Sequence, residues 1–176
     1  WSHVRRVRNP EAFKKERAQG ELLANLCARV ALVQLESGRH FLVENPRGSE
    51  LFGLHRFIQL LRREGVVKVN FPQCATGLRS PDGLPIQKWT TIVASDERLV
   101  HALRSLTCRC KLHWTLEGGM KNGPDRRTKF AQVWPEPLCR MLLDGIIQIL
   151  REDFPECYPV HGNRKYPDGV IFDCPG

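Results

Sequence analysis

The sequence predicts an α/β domain whose short, mainly parallel sheet is flanked by helices. Apolar residues recur at helical spacing in several segments, and β-branched or apolar runs that suit strands lie between those segments. A strand, a helix and a second strand follow one another through short links after Gly38. This order is typical of a βαβ unit, in which two parallel strands are joined by a right-handed crossover.

The first strand lies in the stretch 38–49. Its apolar run, Phe41 to Val43, is too short for a buried helix and suits one central strand. Pro46 ends the run, because proline has no N–H to donate to a neighbouring strand. Glu44 and Asn45 are therefore expected at the carboxyl end of a buried strand, where ligands bind in open α/β sheets.

The longest predicted helix starts at Asn9 and runs to about Glu36. Asn9 is a suitable N-cap, Pro10 suits the first helical position, and the sequence at 37–38 is a usual helix end. An apolar stripe is expected to face the core in its second half. The remaining predicted elements are a helix at 54–64, strands at 66–71 and 89–94, a helix at 97–106 and a helix that starts at 135.

The length of 176 residues suits one domain with a real core. We expect this domain over residues 1–152, followed by a Pro/Gly-rich tail over 153–176. No apolar run approaches the roughly 20 residues that span a bilayer, so no membrane partner is expected. The chain begins at Trp1 without an initiator Met. We therefore expect a piece of something longer, so that a larger protein or another chain is a candidate source of a preceding segment.

The chain is basic, with 27 Lys and Arg against 19 Asp and Glu and a formal net charge of +8. Such a balance favours polyanions and predicts nucleic acid as a partner. The alternative is a solvated basic face. The candidate nucleic-acid contacts are Arg5, Arg6, Arg47, Gln87, Lys88, Arg126, Arg127 and Lys129.

Seven cysteines are present, and their pattern does not resemble a dense disulfide scaffold. This favours a reducing, intracellular compartment, cytoplasmic or nuclear. Cys74, Cys108, Cys110 and His113 form a candidate zinc site, because thiolates and imidazole bind zinc tetrahedrally. The alternative is three reduced cysteines and a surface histidine. The sequence contains no Walker loop, dinucleotide-binding glycine fingerprint or nucleophile elbow.

Five motifs occur in an order that resembles a domain of retroelement polyproteins. They are the stretch 38–49, Phe71-x-x-Cys74-x-x-Gly77, residues 87–90, Cys108 to Gly118, and residues 131–139. The chain departs from the family pattern at two positions. Lys111 stands where the family often has a second histidine, and Trp134 stands where it often has tyrosine.

That domain is in turn similar to the C-terminal half of DNA cytosine methyltransferases. The resemblance implies a partial Rossmann-like methyltransferase fold in which Glu44 holds a target base and Asn45 orients it. It also implies that Gln87 and Lys88 face phosphate and that S-adenosylmethionine is a candidate cofactor. The nucleophilic and cofactor-binding loops of that family would precede Trp1, so whether the protein is an enzyme stays open.

Two main hypotheses of function follow. The first is a nucleic-acid-associated, methyltransferase-like module of mobile-element origin, with catalysis absent or dependent on a missing N-terminal segment. The second is a non-enzymatic module, stabilised by a Cys/His metal site, that binds nucleic acid or protein. A domain that only binds protein is a third alternative.

Overall fold

The computed structural model of the chain describes residues 7–116 and 127–155. Three helices, three strands and several short 3-10 turns make up this part of the chain. The helices are α1 (Pro10–Glu36), α2 (His55–Leu61) and α3 (Glu136–Asp153), and the strands are β1 (Leu42–Pro46), β2 (Val67–Pro72) and β3 (Trp89–Ala94). None of these helices combines the length and apolar character that a bilayer crossing requires.

The three strands form an antiparallel sheet in the order β1-β3-β2. Ile92 of β3 pairs with Glu44 on one side and with Val69 on the other. The predicted mainly parallel sheet, and with it the partial Rossmann-like methyltransferase fold, is therefore wrong. β1 and β2 do run in the same direction across α2, but β3 lies between them and opposes both, and β1 is an edge strand rather than a central one.

The sheet lies between two helical layers. Val43 and Val93 face α1 and α2, where they pack with residues such as Ala28 and Phe57. On the other face, Ile92 belongs to a core that contains residues of α3 such as Leu138 and Leu142. Because successive side chains of a strand point to opposite faces, Glu44 points to the α3 side and Asn45 to the α1 side.

The start of α1 confirms the sequence prediction. Asn9 is the N-cap, and its Oδ1 accepts a hydrogen bond from the N–H of Ala12 at 3.0 Å. Pro10 occupies the first helical position. At the other end, Gly38 adopts a left-handed conformation with φ of 67° after the last turn, which is the usual role of glycine at a helix terminus.

The buried face of α1 differs from the predicted one. Ala24, Ala28 and Ala31 are the buried residues, whereas Leu26 is 57% exposed. Of the apolar stripe that the periodicity placed in the core, Ala31 is buried, but the larger residues face outward; they are Leu22, Leu23, Leu26, Val30 and Val33. Small side chains on the inner face let α1 approach the sheet and α2 closely, and the large aromatic rings of Phe52 and Phe57 fill the space between them.

The predicted helix over 97–106 is replaced by two 3-10 turns, Glu97–Leu99 and His101–Leu103. Asp96 caps the first of these turns, because its side chain accepts a hydrogen bond from the N–H of Arg98 at 2.8 Å. α3 presses on this segment at Gly145, where an added Cβ would lie 2.5 Å from the Arg98 carbonyl oxygen. Val100, Leu103 and Leu106 are each three residues apart and contact the same core, a spacing that suits 3-10 turns.

Arg98 ties this segment to the C-terminal end of α3. Its guanidinium donates to Asp96 and Asp153 at 2.7 Å and to Glu152 at 2.8 Å. The hydrogen bonds from Arg98 are the main reason that the pKa values of Asp96 and Asp153 lie below their ordinary range. This network closes one end of the sheet.

Two substitutions in α1 test which face is buried. We expect Ala28→Leu to lower the free energy of unfolding by about 1–3 kcal/mol, because the site is closely packed. Leu26→Ala should change it by no more than about 0.5 kcal/mol, as exposed substitutions do. Urea denaturation of both variants checks this, and a larger loss from Leu26→Ala than from Ala28→Leu would contradict the packing.

The Arg98 network predicts a pH-dependent stability. Because the folded-state pKa values of Asp96 and Asp153 are lowered, their contribution is complete above the ordinary pKa of about 4 and is lost as the pH falls through the folded values. Arg98→Ala should therefore lower the melting temperature at pH 7, and the difference from wild type should shrink below about pH 4. Melting curves of wild type, Arg98→Ala and the exposed control Arg151→Ala measure this; a difference independent of pH would refute it.

Candidate metal centre

The four predicted ligands lie together in the structure. One ligand atom from each of Cys74, Cys108, Cys110 and His113 lies within 4.8 Å of all the others. Cys74 comes from the 3-10 turn Gln73–Thr76 that follows β2, and the other three come from an irregular segment after the turn His101–Leu103. Residues separated by more than thirty positions are thus gathered into one Cys/His group, which can hold a metal ion.

The turn that carries Cys74 is held firmly. The N–H of Gln73 donates to the Lys88 carbonyl at 2.9 Å, and its side-chain amide donates to Thr90 Oγ1 at 2.8 Å. The Thr76 hydroxyl donates back to the Gln73 carbonyl at 2.9 Å. Because Gln73 and Cys74 are buried, the position of the Cys74 thiol is fixed by the start of β3.

The segment that carries the other ligands packs on a small core of its own. Leu78, Ile86 and Ala131 are its buried members, and Trp114 and Phe130 pack against them. The N–H of Trp114 donates to the Pro85 carbonyl at 2.8 Å, and its ring meets that of Phe130 edge-on at 6.0 Å. These contacts place His113, the preceding residue, with its Nε2 3.2 Å from Cys108 Sγ.

The thiols of the cluster have different acidities. Burial, together with hydrogen bonds to Cys108, raises the pKa of Cys74 to about 12. The pKa of Cys108 is instead lowered, chiefly by a backbone hydrogen bond from Cys110, with Cys74 and Gln87 also contributing. Cys108 is therefore the more readily ionised of the two thiols. Metal binding supplies the charge that lets a buried thiol such as Cys74 ionise.

The chemistry of the group fits zinc. Three thiolates and one imidazole are a common zinc ligand set, and zinc–sulfur bonds of about 2.3 Å in a tetrahedron place the sulfurs about 3.8 Å apart. The present separations, all within 4.8 Å, require only a small contraction around an ion. Because four protein ligands complete a tetrahedron, such a site is structural and leaves no coordination position for a substrate or catalytic water.

Glu44 and Lys88, which the sequence assigned to base and phosphate recognition, pair with each other. Glu44 Oε1 lies 3.4 Å from Lys88 Nζ, and the side chains are only 18% and 16% exposed. Lys88 also donates to the Ala131 carbonyl at 3.2 Å. Asn45 points to the opposite face of the sheet and lines a shallow groove against α1. Glu44 and Asn45 are adjacent in sequence but do not share one side of the sheet.

Two of the arginines predicted to contact nucleic acid stack on tryptophans near the Cys/His group. The Arg47 guanidinium lies 4.6 Å from the centre of the Trp89 ring, and that of Arg127 lies 5.1 Å from the centre of the Trp114 ring. Arg47 and Trp89 are exposed, and so is Gln87, two residues before Trp89. Lys129, two residues after Arg127, is also exposed. Arg5, Arg6 and Arg126 lie outside the described residues.

Sequence reasoning missed three features of this region. It did not assign roles to Trp89 and Trp114, although each follows a candidate site residue directly and a tryptophan beside basic residues is a recognisable signal. It also missed Gln73, a fully buried polar residue whose Oε1 accepts no hydrogen bond within the described residues. No local sequence signal marks Gln73, because its burial arises from the packing of β3 and the turn.

Comparisons of the chain with protein families, with curated proteins and with solved structures found no match. The resemblance to a retroelement domain therefore stays a prediction. The described residues offer nothing that supports S-adenosylmethionine, whereas the Cys/His group is compatible with zinc.

The metal site makes a direct prediction. Purified protein should contain one zinc ion per chain, and Cys108→Ser should lose it and lower the melting temperature by about 10 °C or more, because metal binding contributes directly to folding free energy. Cys139→Ser, at an exposed cysteine outside the cluster, is the matched control. Elemental analysis and melting curves measure both effects. Absence of zinc from wild type, or equal behaviour of the two variants, would refute the site.

Proposed function

We propose that this domain is a non-enzymatic module, stabilised by a Cys/His zinc site, that binds nucleic acid through the two Arg–Trp pairs beside that site. The observation that carries the proposal is the grouping of Cys74, Cys108, Cys110 and His113, next to which Trp89 and Trp114 hold arginines. The ligands support a structural role for the metal, and the arginines supply the binding surface.

The charge and chemistry of this surface suit a nucleic-acid strand. A guanidinium stacked on an indole keeps its N–H groups at its edge, where they can donate to phosphate oxygens, and the planar pair offers a platform for a base. The net charge of +8 adds a long-range attraction to polyanions. Trp89 begins β3, and Trp114 follows His113 of the Cys/His group, so the sheet supports the first platform and a bound metal ion would support the second.

The alternative, a methyltransferase-like enzyme, has less support. That alternative depended on a mainly parallel sheet, whereas the sheet is antiparallel. The Glu44 carboxylate is paired with Lys88. An origin in a mobile element remains a proposal that rests on the order of sequence motifs. The reduced thiols that zinc needs favour an intracellular compartment.

Binding of a labelled single-stranded oligonucleotide, measured by fluorescence anisotropy across salt concentrations, tests the proposal. We expect affinity to fall steeply with salt, as phosphate contacts require. Arg47→Ala should weaken binding by about fivefold to tenfold, through loss of a charged contact and a stacking platform. Arg47→Lys should restore only part of the affinity, since lysine keeps the charge but lacks the planar group.

Arg151→Ala is the matched control for this experiment. Arg151 is exposed near the C-terminal end of α3, which the Arg98 network places at the other end of the sheet from Trp89. The substitution removes the same charge without touching the proposed surface. No binding by the zinc-loaded wild type at low salt, or equal losses from Arg47→Ala and Arg151→Ala, would overturn the proposed function.

A further inference from the structure

A groove between α1 and α2 is lined by four arginines. It lies on the sheet face opposite α3, where α1 and α2 pack, and has a volume of about 370 Å³. Ala28, Leu32, Leu60 and Gln59 supply the rest of its lining. The arginines come from separate places in the chain: Arg29 from α1, Arg56 from α2, and Arg62 and Arg63 from the end of α2.

Most of this positive charge has no acidic partner within the described residues. Arg63 lies 3.5 Å from Glu36. Within residues 7–116 and 127–155, no carboxylate lies within ion-pair distance of Arg29, Arg56 or Arg62. Arg17, Arg98, Arg104 and Arg140 pair with acids, whereas other described arginines such as Arg47 and Arg151 do not; what distinguishes the groove is that its arginines are gathered around one concavity. The groove is thus a local concentration of unneutralised charge.

Helix stability accounts for only part of this arrangement. Cations at the C-terminal end of a helix interact favourably with its dipole, which suits Arg62 and Arg63. The same effect does not explain Arg56 in the first turn of α2 or Arg29 within α1. Gathering like charges around one concavity costs repulsion unless an anion neutralises them. The geometry therefore points to an anionic occupant.

We propose that this arginine groove binds the sugar–phosphate backbone of a nucleic-acid strand. The inference rests on the proposed function for the identity of the partner, but it places contacts on a different face of the domain. The flat fork of arginine matches phosphate oxygens in pairs. A chain of phosphates can enter a groove between two helices, which favours a strand over the broad surface of an anionic membrane.

The groove carries a quantitative prediction for the full chain with zinc bound. Each phosphate contact on a single strand contributes about 0.7 to the slope of log affinity against log salt. Arg56→Ala combined with Arg62→Ala should therefore reduce the magnitude of that slope by about 1.4 and weaken binding of an oligothymidine at low salt by about tenfold or more. The double lysine variant should recover most of the slope, because it keeps both charges.

The matched control is Arg140→Ala combined with Arg151→Ala, which removes the same charge from the exposed side of α3. Melting curves of the variants establish that each is folded. Loss of slope in the groove variant but not in the control supports the proposal. Equal slopes in the two variants would overturn the proposal that the groove binds nucleic acid. In that case, weaker binding by Arg47→Ala in the same assay would still support the proposed function.

Two further outcomes separate the remaining alternatives. If zinc-loaded wild type binds no oligonucleotide at low salt, both the groove proposal and the proposed function fail. Vesicles of phosphatidylcholine and phosphatidylserine form the second arm. Retention of wild type on these vesicles that Arg56→Ala with Arg62→Ala abolishes, together with unchanged oligonucleotide binding, would overturn the proposal in favour of a membrane surface.

Discussion

The pairing of β3 with both of its neighbours is the constraint on which the candidate site depends. Its first residue, Trp89, carries the Arg47 guanidinium. The side chain of Lys88, the residue before it, forms an ion pair with Glu44, and the Lys88 carbonyl accepts a hydrogen bond from the N–H of Gln73. Gln87 interacts with the Cys108 thiol. One stretch of three residues therefore connects the end of β1, the turn that carries Cys74 and the segment that carries Cys108.

The loops around the Cys/His group are held by backbone hydrogen bonds, such as those from Ile86 to Leu78 and from Ser80 to Leu84, and by a small core. Among the described residues, the buried members of this core are Leu78, Ile86 and Ala131. Fixing the backbone of each loop residue costs about 1–2 kcal/mol, and the irregular segments at 77–88 and 104–116 are long for so small a core. A zinc ion that joins Cys74 to Cys108, Cys110 and His113 would stabilise them further. The sheet cores on either side of β3 need no such help, since each contains eight or more buried residues.

The parts of the structure that the sequence predicted correctly depend on local chemistry. Asn9 and Pro10 define a helix start through groups only a few residues apart, and Cys108, Cys110 and His113 are close enough in sequence that their grouping follows from spacing. The strand order could not be predicted in this way, because the apolar run from Phe41 to Val43 suits a central strand and an edge strand equally well. The faces of α1 were equally ambiguous. Both of its sides carry apolar residues, and the choice of Ala28 over Leu26 as the buried residue depends on how closely the neighbouring elements approach.

The residues that first suggested chemistry are used by the fold for other purposes. Glu44 and Lys88 form a largely buried ion pair, whose desolvation cost is offset only while both partners remain. Removing Lys88 would leave a largely buried carboxylate without its counter-charge, whereas β1 and β3 themselves are joined by their backbone pairing. The four residues of the Cys/His group can hold a metal ion, and together they would complete the coordination of a structural zinc ion. What remains exposed is a set of arginines, namely Arg47 on Trp89 at one end of the sheet and the four arginines around the groove on the α1 face. These arginines are the surface on which the proposed recognition of nucleic acid by charge and stacking rests.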